Sequence, residues 1–268
     1  MKFDSKKIRD IEYVFPQEQK HTDSIIANLQ KGKLSNAQVI RHFISGRMTN
    51  EDYFVDVGCH IGSTAMWVAN YQARMNNVIA IDGCKQAIDC LQESIRRNEF
   101  TNIEVIHAVV SHSSFPASFL KDIHQESTIM GSVPWYKKLI YNQWDFLRAT
   151  TLDEIIGDRK CSLIKITVNG FESGVLSGAV NILERDNPVL LIEWNSEWGT
   201  MGHLLDTIQD LDYEAFFLNE QSGNVGTQVH TLIPALTSCE NCGSGYFLCY
   251  PIDHPKYGLY VDTRKASE

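Results

Sequence analysis

Residues 53–62, Y-F-V-D-V-G-C-H-I-G, bring an acid, two glycines and a histidine together at spacings that suit the binding of a charged nucleoside. A carboxylate at Asp56, inside an otherwise apolar run, is costly without partners; it can bond to backbone N–H groups of the following loop or to a ligand cation. Gly58 and Gly62 let the chain turn sharply and let a ligand approach the backbone. Ser63 and Thr64 are good N-caps for a helix beginning there. A dinucleotide fingerprint requires G-x-G-x-x-G, with the pyrophosphate on the helix N-terminus. Here the segment reads D-x-G-x-x-x-G, with His60 where the middle glycine would stand, so a pyrophosphate has less room. An acid ahead of the turn suits an amino-acid-bearing nucleoside whose ammonium meets Asp56, and S-adenosylmethionine is the foremost cofactor of that kind. The plainer alternative is a strand, turn and helix that hold no ligand.

A second acid follows at the spacing such a site needs. N-V-I-A-I-D at 77–82 reads as an apolar strand ending in Asp82, with a helix over 85–98. An acid closing the second strand of a βαβ unit is placed to accept hydrogen bonds from ribose hydroxyls; it can equally cap the next helix. Gly83 leaves space beside a sugar. Further along, E-W-N-S-E-W at 193–198 follows another apolar run. Ligands of open α/β sheets bind outside the carboxyl ends of strands, which puts Glu193, Asn195 and Trp198 on the same edge.

The elements that must position these groups alternate along the chain. Residues 53–57 form an almost unbroken apolar run, as in a parallel strand covered on both faces. Further strands are expected over 103–110, 162–168, 188–194, 213–218 and 246–250, with helices over 172–185 and 201–211. Seven strands with interleaved helices describe an α/β, Rossmann-like, doubly wound and mostly parallel sheet. Residues 1–50 carry apolar positions at helical spacing, such as Ile25, Ile26 and Leu29, and are expected to form an N-terminal helical extension. Residues 51–268 then make one domain. Within it, 111–150 breaks the alternation and is rich in aromatic residues, including Phe115, Phe119, Trp135, Tyr136, Tyr141 and Trp144. Long loops of that kind in compact domains are usually functional, and a lid or substrate wall is the expectation.

Composition bounds the partners. The 268 residues, 43% of them hydrophobic, suffice for a full core, and the formal charge of -9 comes without a basic stripe, so a nucleic-acid backbone is not an expected partner. The first residues carry mixed charges, and no stretch reaches transmembrane length, which points to a cytoplasmic protein with no membrane partner. Seven cysteines in that setting read as reduced thiols. Cys239, Cys242 and Cys249 with His230 are weighed as a Cys₃His zinc site, but one C-x-x-C is too little, and no metal is expected.

Four segments together resemble a known family: V-D-V-G-C-H-I-G at 55–62, T-T-L-D-E-I-I at 150–156, I-K-I-T-V-N-G-F-E-S-G-V-L-S-G-A at 164–179 and L-L-I-E at 190–193. Their order and spacing resemble the FkbM family of S-adenosylmethionine-dependent methyltransferases, of class I fold. The resemblance implies O-methylation of a hydroxyl on a sugar, glycan or small metabolite, with Asp56, Gly58, His60, Gly62, Ser63, Asp82 and Gly83 at the cofactor. The family pattern K-[IM]-D-[VI]-E-G-x-E keeps its Lys165, Gly170 and Glu172 here, but Thr167 replaces the aspartate and Asn169 the glutamate. His60 stands where the family has Asn, and Asp82-Gly83 where it has Glu-Pro. Neither Thr167 nor Asn169 can take a proton from an acceptor hydroxyl, which leaves Glu193, Glu172, His60 and Lys165. Glu193 is the first choice as base, since the end of a buried apolar strand would leave it desolvated. It can also be a structural acid paired with Lys165, and Lys165 can orient the acceptor or hold Glu193. Glu172 is either catalytic or a first-turn helix acid. An active methyltransferase and a cofactor-binding relative with weakened or lost catalysis both fit, and a dehydrogenase fits poorly because of the glycine spacing.

Overall fold

A computed structural model describes residues 3–17, 20–32, 37–71, 77–120, 144–195, 201–218, 232–234 and 244–252. The chain runs through β1 (Phe3–Ile8), β2 (Ile11–Pro16), α1 (Lys20–Gln30), α2 (Ala37–Arg47), β3 (Tyr53–Val57), α3 (Ser63–Asn70), β4 (Asn77–Asp82), α4 (Lys85–Asn98), β5 (Ile103–His107) and β6 (Val109–Val110). It continues through β7 (Phe115–Leu120), β8 (Trp144–Thr150), α5 (Leu152–Ile156), β9 (Cys161–Ile166), α6 (Glu172–Ser177), α7 (Val180–Asp186), β10 (Val189–Asn195), α8 (Met201–Asp210), β11 (Tyr213–Leu218), β12 (Leu232–Pro234) and β13 (Ser244–Pro251).

Eight strands form the main sheet in the order β12-β11-β13-β10-β9-β3-β4-β5. The five from β10 to β5 are parallel, while β13 runs antiparallel to β10 and β11, and β12 antiparallel to β11. This is the expected Rossmann-like sheet of seven strands, with short β12 added at one edge. Both faces are covered, so the strands are apolar on both. Phe54, Leu163 and Leu191 bury toward α1 to α4, and Val55, Val57, Ile164, Ile166 and Ile192 bury toward the helices from α5 onward.

Residues 1–50 depart from the expected helical extension. Helices α1 and α2 are present, but β1 and β2 precede them as an antiparallel hairpin. The run I-E-Y-V-F is β-branched and aromatic, and its outer edge finds side-chain partners on α4. Val14 N–H donates to Ser94 Oγ at 2.8 Å, and Glu12 N–H to Asn98 Oδ1 at 2.8 Å, while Asn98 Nδ2 donates back to the Glu12 carbonyl at 2.7 Å. Two further expectations break in two. The strand over 103–110 ends at His107, and Val109 and Val110 join a separate sheet ordered β6-β8-β7. The helix over 172–185 stops at Gly178, where a Cβ would stand 2.1 Å from the Ser111 carbonyl oxygen.

In the 111–150 segment, β7 and β8 pair antiparallel, placing Phe115, Phe119 and Trp144 in strands. Trp135, Tyr136 and Tyr141 lie outside the described residues, as do Cys239, Cys242, His230 and Trp198. Cys249 is a buried free thiol of β13. Among the described residues no group of three metal-ligating side chains converges, and no helix is long and apolar enough to cross a membrane.

Candidate active site

The glycine turn is built against the ends of two neighbouring strands. Gly58 has φ 78°, and a Cβ there would lie 1.8 Å from the Thr167 carbonyl oxygen, so only glycine lets the chain leaving β3 pass over the end of β9. Gly58 and Cys59 N–H both donate to the Ile81 carbonyl, at 2.8 and 3.0 Å, and Thr167 N–H donates to the Val57 carbonyl at 2.9 Å. His60 takes the left-handed conformation, φ 51°, one that Asn and His adopt more readily than most residues. The N-cap of α3 is Gly62, also left-handed at φ 76°, with no side-chain cap. Ser63 and Thr64 therefore fall inside the first turn instead of capping it, because the chain enters the helix through the turn imposed at Gly62.

Asp82 ends β4 and organises the turn from the other side. Its Oδ2 accepts from His60 N–H and its Oδ1 from Cys84 N–H, each at 2.7 Å. Burial pushes its carboxyl above the usual carboxylate range, against the pull of those two N–H groups. It thus ties the peptide ahead of α4 to the glycine turn from the carboxyl edge of the sheet, without capping that helix, whose N-cap Cys84 has no side-chain cap. Gly83, next in the chain, is buried, and its carbonyl lies 3.0 Å from His107 Nε2.

Asp56 and Lys165 face each other directly across β3 and β9. Both side chains are buried, at 1% and 8% exposure, with Nζ 3.2 Å from Asp56 Oδ1. Lys165 also donates to Thr167 Oγ1 at 2.7 Å. Asp56 Oδ2 is buried and has no hydrogen-bond partner. The alternative pairing of Glu193 with Lys165 is not formed, since Lys165 meets Asp56 instead. Register puts Lys165 beside Leu191 of β10, and Glu193, two residues further, opposite Tyr246 of β13. Side chains two apart share a face, so Glu193 and Lys165 lie on one side of the sheet. Glu193 is half-buried, not the desolvated acid expected at a strand end. Glu172 is buried at 7% exposure, and its Oε1 accepts from Gly170 N–H at 3.1 Å. Burial raises its carboxyl above the ordinary value, the backbone N–H groups around it pull the other way, and the charge of Glu193 adds to the rise.

The structure thus joins Asp56, Gly58, His60, Gly62, Asp82 and Gly83 in one edge, with Ser63 following, and sets Lys165 on β9, Glu193 on β10 and Glu172 at the start of α6 between them in the chain. Sequence reasoning missed His107, Tyr246 and the bonding of Thr167. His107 carried a usable signal, as the last polar residue of the strand after the one ending in Asp82. Tyr246 and Thr167 carried none, since their contacts depend on strand register.

A doubly wound sheet whose first strand feeds a glycine turn, and whose second ends in an acid gripping that turn, defines a class I methyltransferase fold. The methyltransferase FkbM domain matches residues 56–215, and the chain belongs to that family of methyltransferases. A methyltransferase FkbM from Methylobacillus flagellatus KT is similar at 17% identity and a TM-score of 0.50, over 84% of this chain and 52% of that one. The chain therefore spans about half the length of that protein. An rRNA methylase from Streptococcus thermophilus is similar at 13% identity and a TM-score of 0.44, covering 80% and 94% of the two chains. TYW2 of M. jannaschii, in complex with AdoMet, is similar at 13% identity and a TM-score of 0.44, covering 92% and 84%. No curated protein matches the chain.

Proposed function

We propose that the chain is an S-adenosylmethionine-dependent O-methyltransferase whose acceptor is a hydroxyl of a sugar, glycan or small metabolite. The observation that carries this reading is the family match over 56–215, which spans both halves of the carboxyl-edge site. The residues present fit the cofactor. Asp56 Oδ2 is a buried carboxylate oxygen without a partner, suited to an ammonium group. Gly58, His60, Gly62 and Ser63 form the turn that would hold the nucleoside, and Asp82 with Gly83 would hold the ribose. When bound, the cofactor supplies a methyl group on a cationic sulfur.

The remaining groups position and deprotonate the acceptor. Glu193 is the base: it lies two residues before the end of β10, half-buried, on the face that carries Asp56 and Lys165, and takes the hydroxyl proton as the new bond forms. Lys165 positions Asp56 and Thr167, and Glu172 holds the turn at Gly170. Asp56, Asp82, Glu172 and Glu193 against one Lys165, in a chain of net charge -9, favour an uncharged acceptor over a polyanion such as RNA. The described parts of the 111–150 segment, residues 111–120 and 144–150, serve as an acceptor wall, in a cytoplasmic protein whose buried thiols stay reduced.

One observation favours a second reading, a cofactor-binding protein with weakened catalysis. Thr167 stands where the family pattern has a carboxylate, and its hydroxyl is occupied by Lys165. Isothermal titration with S-adenosylmethionine and S-adenosylhomocysteine, repeated on Asp82→Ala, tests the shared premise. Binding that weakens sharply in the variant supports the site and licenses a screen of sugar and polyol acceptors; no binding at millimolar ligand sinks both readings.

A further inference from the structure

Four hydrogen bonds among the described residues hold the turn that presents Asp82. His60 N–H and Cys84 N–H grip the two carboxylate oxygens, and Ala108 N–H donates to the Asp82 carbonyl at 3.1 Å. The fourth joins His107 Nε2 to the Gly83 carbonyl at 3.0 Å. Three of the four donors are backbone groups fixed by the fold; only the fourth is a side chain. A carbonyl can only accept, so Nε2 carries the proton.

The peptide between Gly83 and Cys84 links these contacts. Its carbonyl end is held by His107 and its N–H end grips Asp82 Oδ1. A peptide unit is planar and rotates as one body, so fixing the carbonyl fixes the N–H. Glycine gives this plane more rotational freedom than any other residue would. His107 is placed to restrain it, since it faces Asp82 directly across the β4 and β5 pairing.

We propose that His107 is a positioning residue for the cofactor: by holding the Gly83 carbonyl it aims the Asp82 carboxylate at the ribose. The inference rests on the donor-site reading above. Its signature is coupling, because a residue that acts through Asp82 has nothing to contribute once that carboxylate is gone.

The test is isothermal titration with S-adenosylhomocysteine of the wild type, His107→Leu, His107→Gln, Asp82→Ala and the Asp82→Ala/His107→Leu double variant. His107→Phe, which keeps a ring and removes the donor, takes the place of Leu in both variants if Leu does not fold. Loss of one hydrogen bond corresponds to about a two- to tenfold weakening for His107→Leu. His107→Gln, whose amide N–H can reach the same carbonyl, is expected within about twofold of wild type, and the double variant is expected to bind as Asp82→Ala does. Unchanged affinity of His107→Leu, no recovery with Gln, or an undiminished effect in the Asp82→Ala background overturns the inference while leaving the donor site standing. A wild type that does not bind the ligand overturns the donor reading and this inference with it.

Discussion

Replacing Lys165 by Met strands the Asp56 carboxylate. The side chain of Asp56 is 1% exposed, one oxygen meets Nζ at 3.2 Å, and the other has no partner. Removing one member of a buried ion pair costs about 3–5 kcal/mol, because the survivor is left charged in a medium that solvates it poorly. For a chain of this size, 1 kcal/mol shifts the melting temperature by about 2–4 °C, so Lys165→Met should melt roughly 6–20 °C lower. Adding Asp56→Asn removes the stranded charge, and the double variant should regain about 2 kcal/mol relative to the sum of the singles. The assay is thermal and urea unfolding of the four proteins. A Lys165→Met protein within about 2 °C of wild type, or a strictly additive double variant, would refute the ion pair as a determinant of stability.

Three further outcomes follow from the same geometry. Gly58→Ala must accept φ 78° and a Cβ 1.8 Å from the Thr167 carbonyl oxygen; left-handed backbone and overpacking together cost about 2–5 kcal/mol, read by urea unfolding, and a loss under about 1 kcal/mol contradicts the close approach. Burial raises Glu172, so its ionisation opposes folding, and its contribution is fully present below the ordinary value of 4.5 and lost as pH rises through the folded value. The melting temperature of wild type relative to Glu172→Gln should therefore improve as pH is lowered toward 4.5, and a flat difference is the contrary result. Glu193→Gln should lower kcat by about 10²–10⁴-fold in an acceptor assay while leaving S-adenosylhomocysteine affinity unchanged; equal turnover removes Glu193 as base.

Where local pattern and tertiary demand coincide, the sequence was legible to the residue. The strand ending at Asp82 and the helix over 85–98 lie where periodicity placed them, because each buries a face that its own spacing announces. Elements whose limits depend on a distant partner were not legible. The helix break at Gly178 is set by the Ser111 carbonyl, and the β2 hairpin by Ser94 and Asn98, each far away in the chain. The site divides in the same way. Asp56 and Asp82 could be placed at strand ends from their positions alone. That Lys165 meets Asp56 and not Glu193 is a matter of register, and a shift along β9 would change the partner without changing any local signal.

Register and backbone conformation also separate the two departures from the family pattern that looked alike as letters. Thr167 sits at the end of β9, where its hydroxyl takes a bond from Lys165. An aspartate there would give Lys165 a second carboxylate, so Thr167→Asp changes the charge of the edge with little demand on the backbone. Asn169 is different, since its φ is 51° and Gly170 follows at 90°. Asn tolerates the left-handed region better than most residues, whereas a glutamate there bears the penalty of about 1–2 kcal/mol for that conformation. Asn169→Glu should therefore lower stability in urea unfolding by about 1 kcal/mol whatever it does to turnover, and Thr167→Asp should not. If Asn169→Glu proves neutral in stability while raising turnover, position 169 is catalytic and its backbone strain is not what selected asparagine. If only Thr167→Asp raises turnover, the edge was weakened at one position and the change at the other served the turn.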